Sequence, residues 1–166
     1  MKKLLFSLLA AALLPLTGAT VYQNAFGDAA GLSGFSSDPN IRIENGSLTA
    51  EFKNRIEYRT ISKTLAAEAF SGYFIRMSCE VRAENILQTK RDFEGIKLEL
   101  SMTTKSGKKS WGNIRFPKES YDWKKFETFF PVPDDLKSIS LAIGMQNSAG
   151  KFQLRNLKLE TVAVPV

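Results

Sequence analysis

The sequence predicts an all-β domain built as two antiparallel sheets packed face to face. Three observations carry the prediction. Apolar and polar residues alternate with period two in run after run, as in Ile96-Lys97-Leu98-Glu99-Leu100-Ser101-Met102-Thr103, the signature of half-buried strands. The runs are short and punctuated by turn residues at spacings of about 8–12 residues. Only Thr64 to Ser71 has helical character, with Leu65, Ala66, Ala67, Ala69 and Phe70 before Gly72, enough for a single helical turn.

The first residues stand apart from this pattern. Lys2 and Lys3 precede an apolar run from Leu4 to Leu14, broken by Pro15 and ended by Thr17-Gly18-Ala19. The run is short for a membrane span. This is the layout of a secretory signal peptide over residues 1–19, cleaved after Ala19, with no stable membrane insertion afterwards. No Cys follows the apolar run, so no lipoprotein anchor is expected. Residues 20–166 then form a single β-sandwich domain, secreted or periplasmic. Loss of Lys2 and Lys3 takes the formal charge from +6 to +4. Cys79 is the only cysteine, which rules out an intramolecular disulfide and reads as a small buried hydrophobe.

Along the domain, Val21 to Asp38 reads as a short strand and a Gly/Ala/Ser-rich loop. Ile41–Glu44 and Leu48–Phe52 flank Asn45-Gly46, a pair suited to a two-residue hairpin turn because both positions tolerate positive φ. Arg55 to Lys63 alternates, with Ile56, Tyr58 and Thr60 on one side. Phe74 to Ala83 places Ile75, Met77, Cys79 and Val81 inward and Arg76, Ser78, Glu80 and Arg82 outward. Glu84 to Glu94 reads as a charged loop with no core of its own.

The hairpin of Ile96–Thr103 and Ser110–Phe116 turns at Lys105-Ser106-Gly107-Lys108-Lys109. After it come a corner at Glu119–Trp123 and a strand at Lys124–Val132. A further strand at Ser138–Gln146 precedes a turn at Asn147–Gly150. The last strand, Phe152–Val162, has a register break near Arg155-Asn156 that suits a bulge. The whole is jelly-roll-like.

Several of these pieces recur together elsewhere. They are Gly72-Tyr73-Phe74-Ile75-Arg76-Met77-Ser78 with Val81-Arg82-Ala83, then Tyr121-Asp122-Trp123-Lys124-Lys125-Phe126. Phe129 with Pro131-Val132-Pro133 follows, and last comes Gly150-Lys151-Phe152-Gln153-Leu154-Arg155-Asn156-Leu157-Lys158-Leu159. In order and spacing they resemble the carbohydrate-binding jelly rolls of the galactose-binding-like superfamily, of the type attached to cellulases and xylanases. The resemblance implies a glycan-binding sandwich in which Trp123 packs the corner. It also implies a departure. Such modules usually carry an Asp after the aromatic of the last strand, often near a structural calcium. Here Arg155 and Asn156 stand there, and a guanidinium repels a divalent cation, so no metal is expected.

The chain contains no His, which removes Ser-His-Asp and Cys-His catalysis and the usual zinc sites. No Gly-rich phosphate loop follows a strand. Glu57, Glu80, Glu94 and Glu99 show no pairing pattern of the kind a glycosidase needs. No catalytic residue and no cofactor is assigned, and the domain reads as a monomer that is not an enzyme. An exported chain of modest positive charge is a poor nucleic-acid binder.

What remains is the outward face of the central hairpin. Trp111, Asn113 and Arg115 alternate with inward Gly112, Ile114 and Phe116, and Lys97, Glu99 and Ser101 stand beside them on the preceding strand. An indole can cover the apolar face of a pyranose while amide and guanidinium groups take its hydroxyls. These six residues form the expected ligand site. Lys105, Lys108, Lys109, Lys118, Lys124 and Lys125 cluster nearby, either as edge protection against strand pairing or as attraction for an acidic polymer. The expected function is a stand-alone polysaccharide- or oligosaccharide-binding protein, the polymer acidic if the lysines recruit it. A structural or protein-interaction module of the cell envelope is the alternative.

Overall fold

The computed structural model describes residues 18–162. The expected signal peptide lies outside them except for Gly18 and Ala19. Eight strands follow in order: β1 (Thr20–Asn24), β2 (Ile41–Glu44), β3 (Ser47–Leu65), β4 (Phe74–Glu84), β5 (Gly95–Thr104), β6 (Lys109–Asn113), β7 (Tyr121–Pro131) and β8 (Leu136–Val162). All pairings between them are antiparallel. The helical piece is one 3₁₀ turn at Ala67–Ala69. Asn45 and Gly46 take φ of 51° and 70° in the β2–β3 hairpin, where Glu44 pairs with Ser47. Among the described residues no helix is long and apolar enough to cross a membrane.

Two strands are longer than the sequence pattern suggests. β3 absorbs both Leu48–Phe52 and Arg55–Lys63, and β8 absorbs the expected turn at Asn147–Gly150 together with the strands on either side of it. Positive φ at Asn147 (47°) and Gly150 (127°) bends β8 without reversing it. The register shift of β3 between Phe52 and Ile56 sits directly opposite, where Phe52 pairs with Gly150 and Ile56 with Ser148. Both strands therefore cross from one sheet to the other. The first half of β8 lies between β5 and the second half of β3, with β6 outside β5. The second half of β8 lies between β4 and, on its other side, first β3 and then β1; β2 and β7 complete that sheet.

Inward residues of both sheets share one core. Leu98 and Leu100 of β5 and Ile139, Leu141 and Ile143 of β8 are fully buried together with Ile75, Met77 and Val81 of β4 and Leu154 and Leu159 of β8. Cys79 is buried among them, and burial, with the Glu80 charge added, pushes its thiol up to about 12, so it acts as a small apolar residue.

Two expectations are corrected. The Glu84–Glu94 loop does reach the core: Ile86 is buried, and Leu87 N–H donates to Ala149 O at 2.9 Å, which ties the loop to the β8 bend. Trp123 does not pack the corner. A shift in the β4–β7 register between Val81 and Ala83 leaves it on the outer face, and the corner is filled by Tyr121, Phe126 and Phe116. Phe126 meets Phe116 edge-on at 5.1 Å and Tyr121 at 5.6 Å between ring centroids. The expected bulge at Arg155-Asn156 is present, with Asn156 at φ 54° opposite a shift between Ser78 and Glu80. Arg155 Nε and Asn156 Nδ2 both donate to the Glu80 carboxylate, at 2.8 and 3.1 Å.

Candidate functional site

The outer face of the β6-β5-β8-β3 sheet is a groove, and strand register explains its shape. Trp111 of β6 pairs with Ser101 of β5, which pairs with Ser140 of β8, which pairs with Thr64 of β3. The next row on this face is Asn113, Glu99, Ala142 and Ser62; then come Lys97, Gly144 and Thr60, and then Gly95, Gln146 and Tyr58. Along β8 the outward side chains are therefore Ser140, Ala142 and no side chain at all at Gly144. Small residues in the middle strand make a floor, and longer ones at the margins make walls. The resulting cleft of about 420 Å³ is lined by Trp111, Lys109, Ser101, Glu99, Tyr58, Thr60, Ser62, Ser140 and Ala142, among others.

Trp111 is held by the residue after it. Gly112 faces inward, where an added Cβ would lie 2.5 Å from the Phe130 ring of β7. The close approach of β6 to that ring fixes the strand, and alternation then sends Trp111 outward, 58% exposed. Tyr58 is 48% exposed at the other end. Six residues of β8 separate the Trp111 row from the Tyr58 row, roughly 20 Å at strand rise. Burial pushes the Tyr58 phenol above its ordinary range; Thr60 offsets part of this and the Glu99 carboxylate adds to it.

The six expected site residues divide. Trp111, Ser101 and Glu99 line the cleft together. Asn113 stands opposite Glu99 in register, at its edge. Lys97 is on the expected face but is only 6% exposed: its ammonium lies 3.5 Å from Glu99 and 5.6 Å from the Phe93 ring centroid. Arg115 follows the end of β6 and reaches out to Asp92, 3.7 Å away. Sequence reasoning missed Tyr58, Thr60, Ser62, Ser140, Ala142 and Lys109 as wall and floor. The signal available was the run of small outward residues on β8, Ser138, Ser140, Ala142 and Gly144, which is unusual for an exposed sheet face.

A larger hollow, about 660 Å³, lies beside β1 and includes Tyr22, Asn24, Phe26, Asp28, Lys63, Asn156 and Lys158. Several of its polar groups are committed to holding the loop after β1. Asn24 donates to Gly31 O at 2.6 Å and accepts from Phe26 N–H at 2.9 Å, Asp28 accepts from Ala30 N–H at 3.0 Å, and Lys63 donates to Ser33 O at 2.8 Å. That hollow is a loop scaffold, whereas the groove presents unengaged aromatic faces.

No protein-family model and no curated protein matches the chain. Solved structures do share its fold. The CBM22-1 xylan-binding domain of Paenibacillus barcinonensis Xyn10C matches with a TM-score of 0.60 at 12% identity, over 89% of this chain and 97% of that one. A xylan-binding domain of CBM 22 matches with a TM-score of 0.60 at 11% identity, over 92% and 100%. The CBM22-1–GH10 modules of Clostridium thermocellum endo-1,4-beta-D-xylanase 10B, in complex with xylohexaose, match with a TM-score of 0.63 at 15% identity. That match covers 90% of this chain, which spans 30% of the longer one. At these identities the likeness establishes the jelly-roll β-sandwich as the fold.

Proposed function

We propose that this jelly roll is a non-catalytic module that binds a polysaccharide along the groove between Trp111 and Tyr58. The observation that carries the reading is the pair of exposed aromatic side chains at opposite ends of a floor of Ser101, Ser140 and Ala142. Separation by roughly 20 Å suits a chain of sugars better than one. The fold neighbours, whose names describe xylan binding, support the same class of ligand.

A sugar face burying on the order of 80 Å² against Trp111 contributes about 2 kcal/mol at about 25 cal/mol per Å². Tyr58 contributes on the same scale, and ordering the chain offsets part of both. Binding in the millimolar to high-micromolar range follows, since a millimolar constant corresponds to about 4.1 kcal/mol. Glu99 is the one carboxylate lining the cleft, and it faces the Lys97 ammonium at 3.5 Å, which favours a holding role over acid–base work. The lysines of the β5–β6 turn at the Trp111 end favour an acidic chain. Export through the leader at residues 1–19 belongs to the same reading, and secreted protein is expected to begin at Thr20.

A glycan array with the mature protein tests the proposal, followed by affinity gels with each hit. Polysaccharide retention that Trp111→Ala abolishes and Tyr58→Ala weakens about tenfold is the expected result. An array with no hit would instead favour a partner protein on the same face.

A further inference from the structure

A second hollow, about 380 Å³, opens beyond the Tyr58 end of the groove and is lined by Arg55, Lys90, Arg91, Glu94 and Asn147. The register places it in line. Tyr58 pairs with Gln146 and Gln146 with Gly95, so Asn147 is the next residue of β8 and Glu94 the residue just before β5. Three cations and one carboxylate face this space, and the carboxylate is hydrogen-bonded within it. Glu94 Oε1 accepts from Asn147 Nδ2 at 2.9 Å and Oε2 from the Arg91 backbone N–H at 3.4 Å, which ties the loop carrying Lys90 and Arg91 to the β8 bend. Lys118 Nζ clamps the same loop from the other side, donating to Thr89 O at 3.3 Å and Arg91 O at 2.5 Å. The neighbouring acid, Asp92, lies beside Arg115 instead.

Among the described residues, Arg55, Lys90 and Arg91 make no ion pair. The backbone under Lys90 and Arg91 is pinned, and the Arg91 guanidinium lies 5.8 Å from the Phe93 ring centroid and within electrostatic reach of Glu94. Two of the three are guanidinium groups, whose planar fork matches a carboxylate in a way an ammonium does not. Resting on the glycan reading above, we infer that this hollow is a carboxylate-binding subsite for the uronic-acid residues of an acidic polysaccharide threaded through the groove. The subsite differs in kind from the lysine turn at the opposite end. Lys105, Lys108 and Lys109 are exposed and attract any polyanion, whereas Arg55 and Arg91 discriminate by geometry.

The test uses the mature protein and matched polymers: glucuronoxylan, polygalacturonate and alginate, each against its carboxyl-reduced form, with dextran sulfate against dextran as the sulfate arm. At least one acidic polymer is expected to bind about tenfold more tightly than its reduced form. The R55Q/R91Q double variant should lose most of that preference for the native form while its affinity for dextran sulfate stays near that of the wild type, with its melting temperature unchanged. K105Q/K109Q should weaken binding of carboxylated polymers and of dextran sulfate alike. Equal affinity of the wild type for native and reduced polymers would overturn the subsite and leave the glycan reading standing. A ratio that survives in R55Q/R91Q, or one that this variant erases for dextran sulfate alone, would also overturn it. Retention of no polymer in either form would overturn the glycan reading and the subsite with it.

Discussion

The guanidinium of Arg155 lies 4.1 Å from the ring centroid of Trp123, on the outer face of the sheet opposite the groove. The same guanidinium is held by Glu80 at 2.7 Å, so the indole has a charged lid. The two tryptophans of the chain thus have different fates: one is covered by a neighbour, the other is left open.

Their substitutions should separate. Trp123→Ala removes a partly exposed cation–π contact and should cost about 1 kcal/mol, lowering the melting temperature by roughly 2–4 °C without changing glycan retention. Trp111→Ala should leave the melting temperature within about 1–2 °C, because no side chain packs over it, and abolish retention. The assignment of faces fails if Trp123→Ala abolishes binding and Trp111→Ala unfolds the protein.

Gly112→Ala places a methyl group 2.5 Å from the Phe130 ring. Relief requires β6 to lift from β7, at a cost of about 1–3 kcal/mol. Thermal melts should show the loss, and affinity gels should show weaker retention as Trp111 moves with its strand. A variant as stable and as active as wild type would mean that the ring yields instead.

Tyr121 Oη is buried and has no hydrogen-bond partner. Burial pushes its phenol far above the ordinary range, so it stays protonated and unsatisfied. Tyr121→Phe keeps the ring against Phe126 and removes the stranded hydroxyl. A gain of about 1 kcal/mol is expected in denaturant titration. A loss of similar size would reveal a partner for the hydroxyl, such as a water bridge.

Glu160 is buried between Arg76 and Lys158, with Lys158 Nζ 2.7 Å from one carboxylate oxygen. The Lys158 hydrogen bond, against the opposing effect of burial and with Arg76 in support, holds its carboxyl below the usual range. A carboxylate depressed on folding stabilises fully above its unfolded pKa, about 4.3, and that stability is lost as pH falls through the folded value. Melting temperature should therefore fall on acidification below about pH 5, and Glu160→Gln should fall less steeply over that window. Asp38, Glu80 and Glu94 are shifted the same way and account for the remaining slope. Identical slopes in the two proteins would remove Glu160 from the account.

The fold was legible because its signals are local. Ile96 to Met102 alternate on their own strand, and Asn45-Gly46 specifies its own turn. The bend of β8 was not, because positive φ at Asn147 and Gly150 looks the same whether the chain reverses or only kinks. Partner strands decide that, and here Ile56 and Phe52 keep pairing across the bend. The site was half legible for the same reason. Trp111, Ser101 and Glu99 belong to one hairpin and could be placed together. Tyr58, Ser62, Ser140 and Ala142 join them only through pairings between distant segments. Lys97 was put on the right face, but Phe93, which helps bring it out of water, lies outside the alternation that places it.

The double life of β8 also sets an order for folding. It pairs with β1, β3, β4 and β5, so before residues 136–162 leave the ribosome the earlier strands can form only the β2–β3 and β5–β6 hairpins and the β4–β7 pair. Isolated hairpins are marginal in water. The chain should stay loosely structured through most of synthesis and close late, in one slow step dominated by distant contacts. On the export reading proposed above, such a chain has no folded half to jam a translocation pore.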